Sequence, residues 1–324
     1  MLILGFLALT LLFTSYGPVF SLQKAIGIRE PESFETSPQL NDCLSRVDSV
    51  RGIELYSQND EDGALLQTLR CMGGHGKKEY FEFGSETGVE VNTRILRDLY
   101  DWHGHLLDGS NEDSSISLHQ EFFTPSNIVS LLEKYNASKT LDVLSVDTDY
   151  DDFFITREIL LAGYKPRVLI NEYNSNFGSE WSVSTMAKPV GKEKDTYWQR
   201  DCYYGASAPA LIMLAQAFGY TPVFSNRVNL FFVRLDQAKS LNMLIPSVDN
   251  FPRLYPTSLH EDCSGKKFNL IESSMMAKAI DPTISHVDFA SSLPTISFTT
   301  KDYDNGDGSK KWRIFKEEST TRSH

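Results

Sequence analysis

The polar residues that could do chemistry fall where short apolar runs end. Tyr80-Phe81-Glu82-Phe83 runs into Gly84, giving the turn Glu82-x-Gly84-x-x-x-Gly88. His105-Leu106-Leu107 ends in Asp108, Leu141 to Val146 in Asp147-Thr148-Asp149, and Pro166 to Ile170 in Asn171-Glu172-Tyr173-Asn174. Glycines at 84 and 88 let the backbone turn sharply and pass close to a ligand. An acid at the end of the next strand can accept hydrogen bonds from ribose hydroxyls. The spacing is not Gly-x-Gly-x-x-Gly, so a dinucleotide site is not the first choice. Asp147 and Asp149 are candidates for a base that takes a proton from a bound hydroxyl, or for positioning that acceptor. Each residue also has a plainer role. A glycine pair serves many strand-to-helix turns, Asp108 alone would cap a turn, and Asp149, Asp151 and Asp152 suit the start of a helix. Their repeated appearance at successive strand ends is what favours a pocket.

Those positions need a sheet to bring them together. From about Tyr56 onward, strand-like and helix-like segments alternate, the pattern of a parallel sheet with helices on both faces. Val89 to Tyr100, Asn127 to Tyr135, Phe153 to Ala162 and Ala206 to Phe218 have helical character. Ile116-Ser117-Leu118 is a weaker strand, and Thr221 to Phe224 with Asn229 to Val233 predict an antiparallel hairpin around Asn226-Arg227. In an open sheet of this kind, ligands bind outside the carboxyl ends of the strands. After about Leu235 the periodicity fades, and a charged, mobile tail is expected from Lys301.

The chain has 324 residues, of which 41% are hydrophobic and 23% charged, ordinary for a globular protein. Lys plus Arg total 31 against 43 Asp plus Glu, a net charge of −12, which argues against nucleic acid as a partner. Residues 1–21 carry no charge and a continuous apolar run, and read as a signal peptide or an uncleaved anchor. Any membrane association would run through that segment alone, and the protein is expected in the secretory pathway, secreted, luminal or held as a single-pass protein. Residues 22–53 suit a stem, 54–240 the folded domain, and 241–324 a partly disordered extension. Cys43, Cys71, Cys202 and Cys263 lack metal-type spacing. Pairing Cys43 with Cys71 and Cys202 with Cys263 is simplest, although other connectivities and four free thiols stay open. Asn136-Ala137-Ser138 is a glycosylation acceptor if the chain enters the lumen. His75, His103, His105 and His119 look scattered, and Trp181 and Trp198 fall in a 175–204 insertion that could form a lid.

Ser57-Gln58-Asn59-Asp60-Glu61-Asp62-Gly63 ahead of Tyr80 to Gly84 resembles the opening of FkbM-type S-adenosylmethionine-dependent methyltransferases. Leu141 to Asp149, followed by Pro166 to Asn174, resembles a eukaryotic branch of that group, and the likeness spans roughly residues 54–235. The resemblance implies an α/β, Rossmann-like seven-stranded methyltransferase fold, mostly parallel with a C-terminal antiparallel hairpin. It implies S-adenosylmethionine as methyl donor and O-methylation of a hydroxyl on a small molecule or glycan. Glu82, Gly84 and Gly88 would line the methionine end of the donor, and Asp108 its ribose. Glu82 stands where the family commonly has Asp, and Ser85-Glu86 where it has Ala-Asn. Asp147, Glu172 and Asn174 look similar to the acid, acid, amide set of metal-dependent catechol-type methyltransferases, which would hold Mg²⁺ or Ca²⁺. Two other classes stay open. An inactive methyltransferase-like protein of secretory trafficking suits the altered turn. A luminal glycosyltransferase suits Asp147-Thr148-Asp149, read as the Asp-x-Asp that holds a metal and a sugar nucleotide.

Overall fold

The computed structural model describes residues 42–187, 202–247, 265–272, 279–304 and 310–317. Strands β1 (Glu79–Phe83), β2 (His103–Asp108), β3 (Leu118–Gln120), β4 (Val143–Val146), β5 (Val168–Glu172), β7 (Tyr220–Ser225) and β8 (Asn229–Arg234) form one seven-stranded sheet. Its order is β3-β2-β1-β4-β5-β8-β7. The first five strands run parallel, β8 is antiparallel to β5, and β7 pairs antiparallel with β8. This is the expected Rossmann-like architecture with its terminal hairpin. The chain leaves β1 towards β2 and β3, then returns to β4 on the other side. The order therefore reverses between β1 and β4, where such sheets hold ligands.

Alternation along the strands explains the two-faced burial. Phe81, Phe83, Leu144, Val146, Leu169 and Phe232 point to one face. They pack under helices α3 (Ile128–Lys134), α4 (Asp152–Leu161) and α5 (Ala208–Ala217). Tyr80, Leu106, Val143, Val168, Ile170 and Phe231 point to the other, under helices α1 (Glu61–Cys71) and α2 (Arg94–Tyr100). Helix α5 starts on Ser207, whose hydroxyl accepts from the Ala210 amide at 3.3 Å, with Pro209 in the first turn.

The folded body begins before the predicted boundary at residue 54. A 3-10 helix, Leu44–Val50, buries Leu44 and Val47, and the Cys43–Cys71 disulfide ties it to α1 with a Cα–Cα distance of 5.5 Å. The paired Cys202–Cys263 expectation has its second cysteine outside the described residues, as have residues 1–21 and Trp198. No described helix is long and apolar enough to cross a membrane.

The region after Leu235 also differs from the expectation of a fading extension. Strands β6 (Val183–Ser184), β9 (Lys267–Glu272), β10 (Thr295–Asp304) and β11 (Lys310–Lys316) make a second, antiparallel sheet in the order β11-β10-β9-β6. Residues 301–304 and 310–316 are strand rather than tail. Trp181 packs edge-on to Phe298 at 5.4 Å in the core of this sheet, so it is no lid. Helix α6 (Leu235–Ser240) closes the first sheet, and α7 (His286–Ser291) joins the two sheets. Phe289 of α7 stacks on Phe153 at 6.1 Å, and the fully buried Arg157 of α4 donates to the carbonyls of Asp281 (3.2 Å) and Ile284 (2.9 Å).

The opposite end of the first sheet, at the strand N-termini, is held by one buried pair. Asp142 accepts from the amides of Gly76 (2.9 Å) and Lys77 (2.6 Å) and from Arg167 Nη1 (2.8 Å). Arg167 in turn donates to the Gly74 carbonyl at 2.8 Å and to that of Met72. This single carboxylate joins the approach to β1, the start of β4 and the start of β5. Breaking a buried pair strands the remaining charge. Asp142→Ala is therefore expected to cost about 3 kcal/mol or more in urea denaturation, and a loss under about 1 kcal/mol would contradict the role.

Candidate functional site

The turn after β1 is built on Gly84. Its φ is +78°, and a Cβ there would lie 1.5 Å from the Asp147 carbonyl oxygen. Only a glycine lets β1 and β4 end side by side. The amides of Gly84 and Ser85 donate to the Leu107 carbonyl at 3.0 and 3.2 Å, which ties the same turn to β2. Gly88, at φ +74°, packs its open face against Ile116, where a Cβ would meet Cδ1 at 2.5 Å. It serves packing beneath the turn and does not line the cleft.

The cleft lies above this junction, lined by Gly84, Asp108, Gly109, Ser110, Phe122, Phe123, Asp147, Thr148, Asp149, Asp151 and Ile155. Three strand ends contribute to it, those of β1, β2 and β4. Asp108 Oδ1 accepts from the amides of Ser110 (2.7 Å) and Asn111 (2.9 Å) and from Asn111 Nδ2 (2.8 Å), which sets the loop. Its Oδ2 makes no hydrogen bond among the described residues. Phe122 and Phe123 supply an apolar wall, and Phe123 packs edge-on against Phe83 at 5.5 Å. Sequence reasoning passed over both. The available signal was two adjacent aromatics in a loop before the Thr124–Asn127 turn, too short to be core.

Two expected ligand residues are otherwise engaged. Glu82 is buried beneath the turn, where it accepts from the Asn92 amide (2.9 Å), the Thr93 amide (3.0 Å) and the Thr93 hydroxyl (2.5 Å). It orders the start of α2 and does not line the cleft. Burial pushes its carboxyl up against the pull of these bonds. Asn174 is also spent. Its Oδ1 accepts from the Asn176 amide at 3.0 Å and from Asn176 Nδ2 at 2.6 Å, while its Nδ2 donates to the Cys202 and Tyr204 carbonyls, both at 2.9 Å. An amide committed on both sides has no lone pair turned towards a cation, so the acid, acid, amide set is corrected.

Asp147, Asp149 and Glu172 do come together, each offering an oxygen within 4.8 Å of the others. Asp147 and Glu172 are half-buried at the ends of neighbouring strands. Asp149 is exposed and held at φ +62°, a left-handed conformation uncommon for a residue with a side chain. The fully buried Asp152 adds a fourth carboxyl, whose Oδ1 accepts from the Thr148 amide at 2.7 Å. Asp152 thus shapes the loop that carries Asp147 to Asp149. Burial first pushes Asp147 and Glu172 well above the usual carboxyl range. The charges of Asp149 and Asp152 add to this at Asp147, and those of Asp147, Asp152 and Asp149 at Glu172, while a hydrogen bond between the two side chains lowers Asp147 and raises Glu172. Burial also pushes Asp152 up to about 7. Burial, then Glu86 and Asp108, raise Asp149. Tyr204, nearly buried, feels the charges of Glu172, Asp149 and Asp147.

The histidines are less scattered than the sequence suggests. His105 Nδ1 and His119 Nε2 share a hydrogen bond of 2.9 Å between β2 and β3, and the Tyr135 ring stacks on His119 at 4.2 Å. The next residues, Glu121 to Phe123, lead into the cleft wall, and the Glu121 amide donates to the Asp108 carbonyl at 2.8 Å. Burial holds both imidazoles below their ordinary range, helped at His105 by His119 and His103 and opposed at His119 by Glu121 and Glu112. The folded state thus favours neutral rings. That stabilisation is complete above the free histidine value of about 6.5 and is lost as pH falls through the lowered folded values. A His119→Asn variant should lose less melting temperature than the parent between about pH 7.5 and pH 5; equal losses would remove the pair from the pH response.

No protein-family model matches the chain, and no curated protein matches it.

Proposed function

We propose that the chain binds S-adenosylmethionine in the Gly84–Asp108–Asp147 cleft and transfers its methyl group to a hydroxyl of a small molecule or glycan. The observation that carries this reading is the convergence of three strand ends on one cleft at the sheet's switch point. When bound, the donor supplies an electrophilic methyl group on a positively charged sulfur. Asp108 fits the nucleoside half, because one oxygen orders its own loop and Oδ2 is left to accept from a ribose hydroxyl. Phe122 and Phe123 offer apolar surface for a base. Gly84 keeps the floor free of side-chain atoms.

The electrostatics favour a cationic ligand. Asp108, Asp147, Asp149 and Asp151 line the cleft and Glu86 acts on it, with no Lys or Arg among the lining residues. A sulfonium suits such an acidic cleft, while a sugar diphosphate finds no lining cation to pair with. Methyl transfer also needs the acceptor proton removed. Asp147, raised by burial, is a stronger base than an ordinary carboxylate, and Asp149 stands beside it at the rim. The Cys43–Cys71 disulfide, with the apolar leader, supports a secretory location.

Calorimetric titration of S-adenosylmethionine, its demethylated product and a nucleotide sugar into the full chain tests the reading. The first two are expected to bind, and Asp108→Ala to weaken them about tenfold or more, the loss of hydrogen bonds to a charged acceptor. Absence of affinity for both sulfur ligands would sink the methyltransferase reading. Binding without turnover on any hydroxyl acceptor would favour the inactive, trafficking class. A response to the nucleotide sugar alone would favour the glycosyltransferase.

A further inference from the structure

We infer that Asp147, Asp149 and Glu172 form a binding site for one hard divalent cation of the Mg²⁺ or Ca²⁺ class, with Asp152 as the carboxyl behind it. The ligand set differs from the one the resemblance suggests, because Asn174 is closed off and Asp149 takes its place. The inference does not depend on the methyl donor, since every residue in it belongs to this chain and the test uses no donor.

Acidic residues gather on many surfaces without binding an ion, so the burial decides. Asp147 and Glu172 sit half-buried where β4 and β5 end, side by side in the sheet. Glu172 Oε2 is enclosed and has no hydrogen-bond partner among the described residues. Asp152 is fully buried, and its Oδ2 likewise has none, although its charge reaches Asp147 and Glu172. A buried carboxylate oxygen without a donor costs free energy, and the Asp142 and Glu61 carboxylates each have donors on both oxygens, although Asp62 Oδ1 also lacks one. Among the described residues, no Lys or Arg forms an ion pair with Asp147, Asp149, Asp152 or Glu172. Either protons or a metal ion must offset the repulsion.

The geometry favours the ion over protons alone. Three carboxylate oxygens within 4.8 Å of one another already span the separations that oxygen ligands adopt around one small cation. The oxygen-only donor set, with no histidine or cysteine in it, selects Mg²⁺, Ca²⁺ or Mn²⁺ over zinc or copper. Asp149 takes a left-handed backbone at φ +62° and offers an oxygen within 4.8 Å of those of Asp147 and Glu172. Asp149 is also the most exposed of the three, so water can complete the coordination shell from the cleft side.

The test is calorimetry and thermal melting of the chelator-treated full chain with Ca²⁺, Mg²⁺ and Mn²⁺ added singly, without donor. One ion per chain is expected, with a melting temperature raised by about 5 °C or more at a hundredfold excess over Kd. Glu172→Gln should weaken binding at least about tenfold, as one charged ligand is lost. Should that buried variant fail to fold, Asp149→Asn at the exposed ligand is expected to fold and to weaken the ion by a similar factor. Terbium luminescence excited through tyrosine gives an independent signal, because Tyr204 is near enough to feel the charges of Glu172, Asp149 and Asp147. No heat, no melting shift and no terbium signal at millimolar ion would overturn the site. So would unchanged affinity in Asp149→Asn together with folded Glu172→Gln. Loss of donor binding with ion binding intact would reject the methyltransferase reading and leave this one standing.

Discussion

The end of β1 can lie against the end of β4 only because residue 84 has no side chain. A single added carbon would occupy the space of the Asp147 carbonyl oxygen, at 1.5 Å. That contact sits at the point where strand order reverses, and three consequences follow from it. The Gly84 and Ser85 amides can reach the Leu107 carbonyl, which brings the end of β2, and so Asp108, to the same level. Asp147 is carried to the floor of the cleft rather than out over it. Glu82 is then drawn inward, where it orders the Asn92-Thr93 start of α2. The site is therefore a property of how closely two strands approach, and the acids are passengers on that approach.

The two ends of the sheet treat charge in opposite ways. At the strand N-termini, Asp142 is surrounded by amide donors and the Arg167 guanidinium, so its burial is compensated and it fastens three strands. At the C-termini, the buried Asp152 and the half-buried Asp147 and Glu172 have few donors and raised carboxyl affinities for protons. One end compensates its buried charge and the other leaves its carboxyls crowded together. Buried like charges are destabilising until something positive arrives. A fold carrying them needs surplus stability elsewhere, and the Asp142 cluster, the Cys43–Cys71 link and the Arg157 anchor of the C-terminal segment contribute it.

The sequence made much of this legible. Apolar runs ending at Gly84, Asp108, Asp147 and Glu172 are short-range signals, and the structure places each at a strand end. Gly84 is where the expectation and the geometry agree most closely, since a turn at φ +78° leaves little choice of residue. Side-chain direction was not legible. Glu82 and Asn174 sit in the same kind of position as Asp108 and Asp147, yet both turn inward to satisfy backbone groups of loops distant in sequence. Nothing local distinguishes a carboxylate that faces a cleft from one that orders a helix start eleven residues away. The cleft wall was missed for a related reason. Phe122 and Phe123 act through their place after β3, and β3 itself is only Leu118–Gln120. The second sheet is not legible locally because its strands β6 and β9 to β11 come from separated stretches, and Val183 of β6 pairs with Glu272, 89 residues downstream. Such pairings are set by tertiary packing around Phe177, Leu270 and Phe298, and a local pattern cannot announce them.

Asp152 stands where the acid cluster meets helix α4. As the first residue of α4 it would ordinarily be expected to favour the helix start through the dipole. Its Oδ1 takes the Thr148 amide, closing the loop that presents Asp147 and Asp149, while Oδ2 has no hydrogen-bond partner among the described residues. The same helix carries Arg157, which reaches across to the Asp281 and Ile284 carbonyls. Helix α4 thus links the acid cluster at its start to the C-terminal segment near its middle. A ligand that relieves the repulsion at Asp152 would steady the start of α4, and with it the footing on which the second sheet is joined to the first. Charge at the cleft and attachment of the C-terminal region are in this way parts of one structural problem, solved by a helix of ten residues.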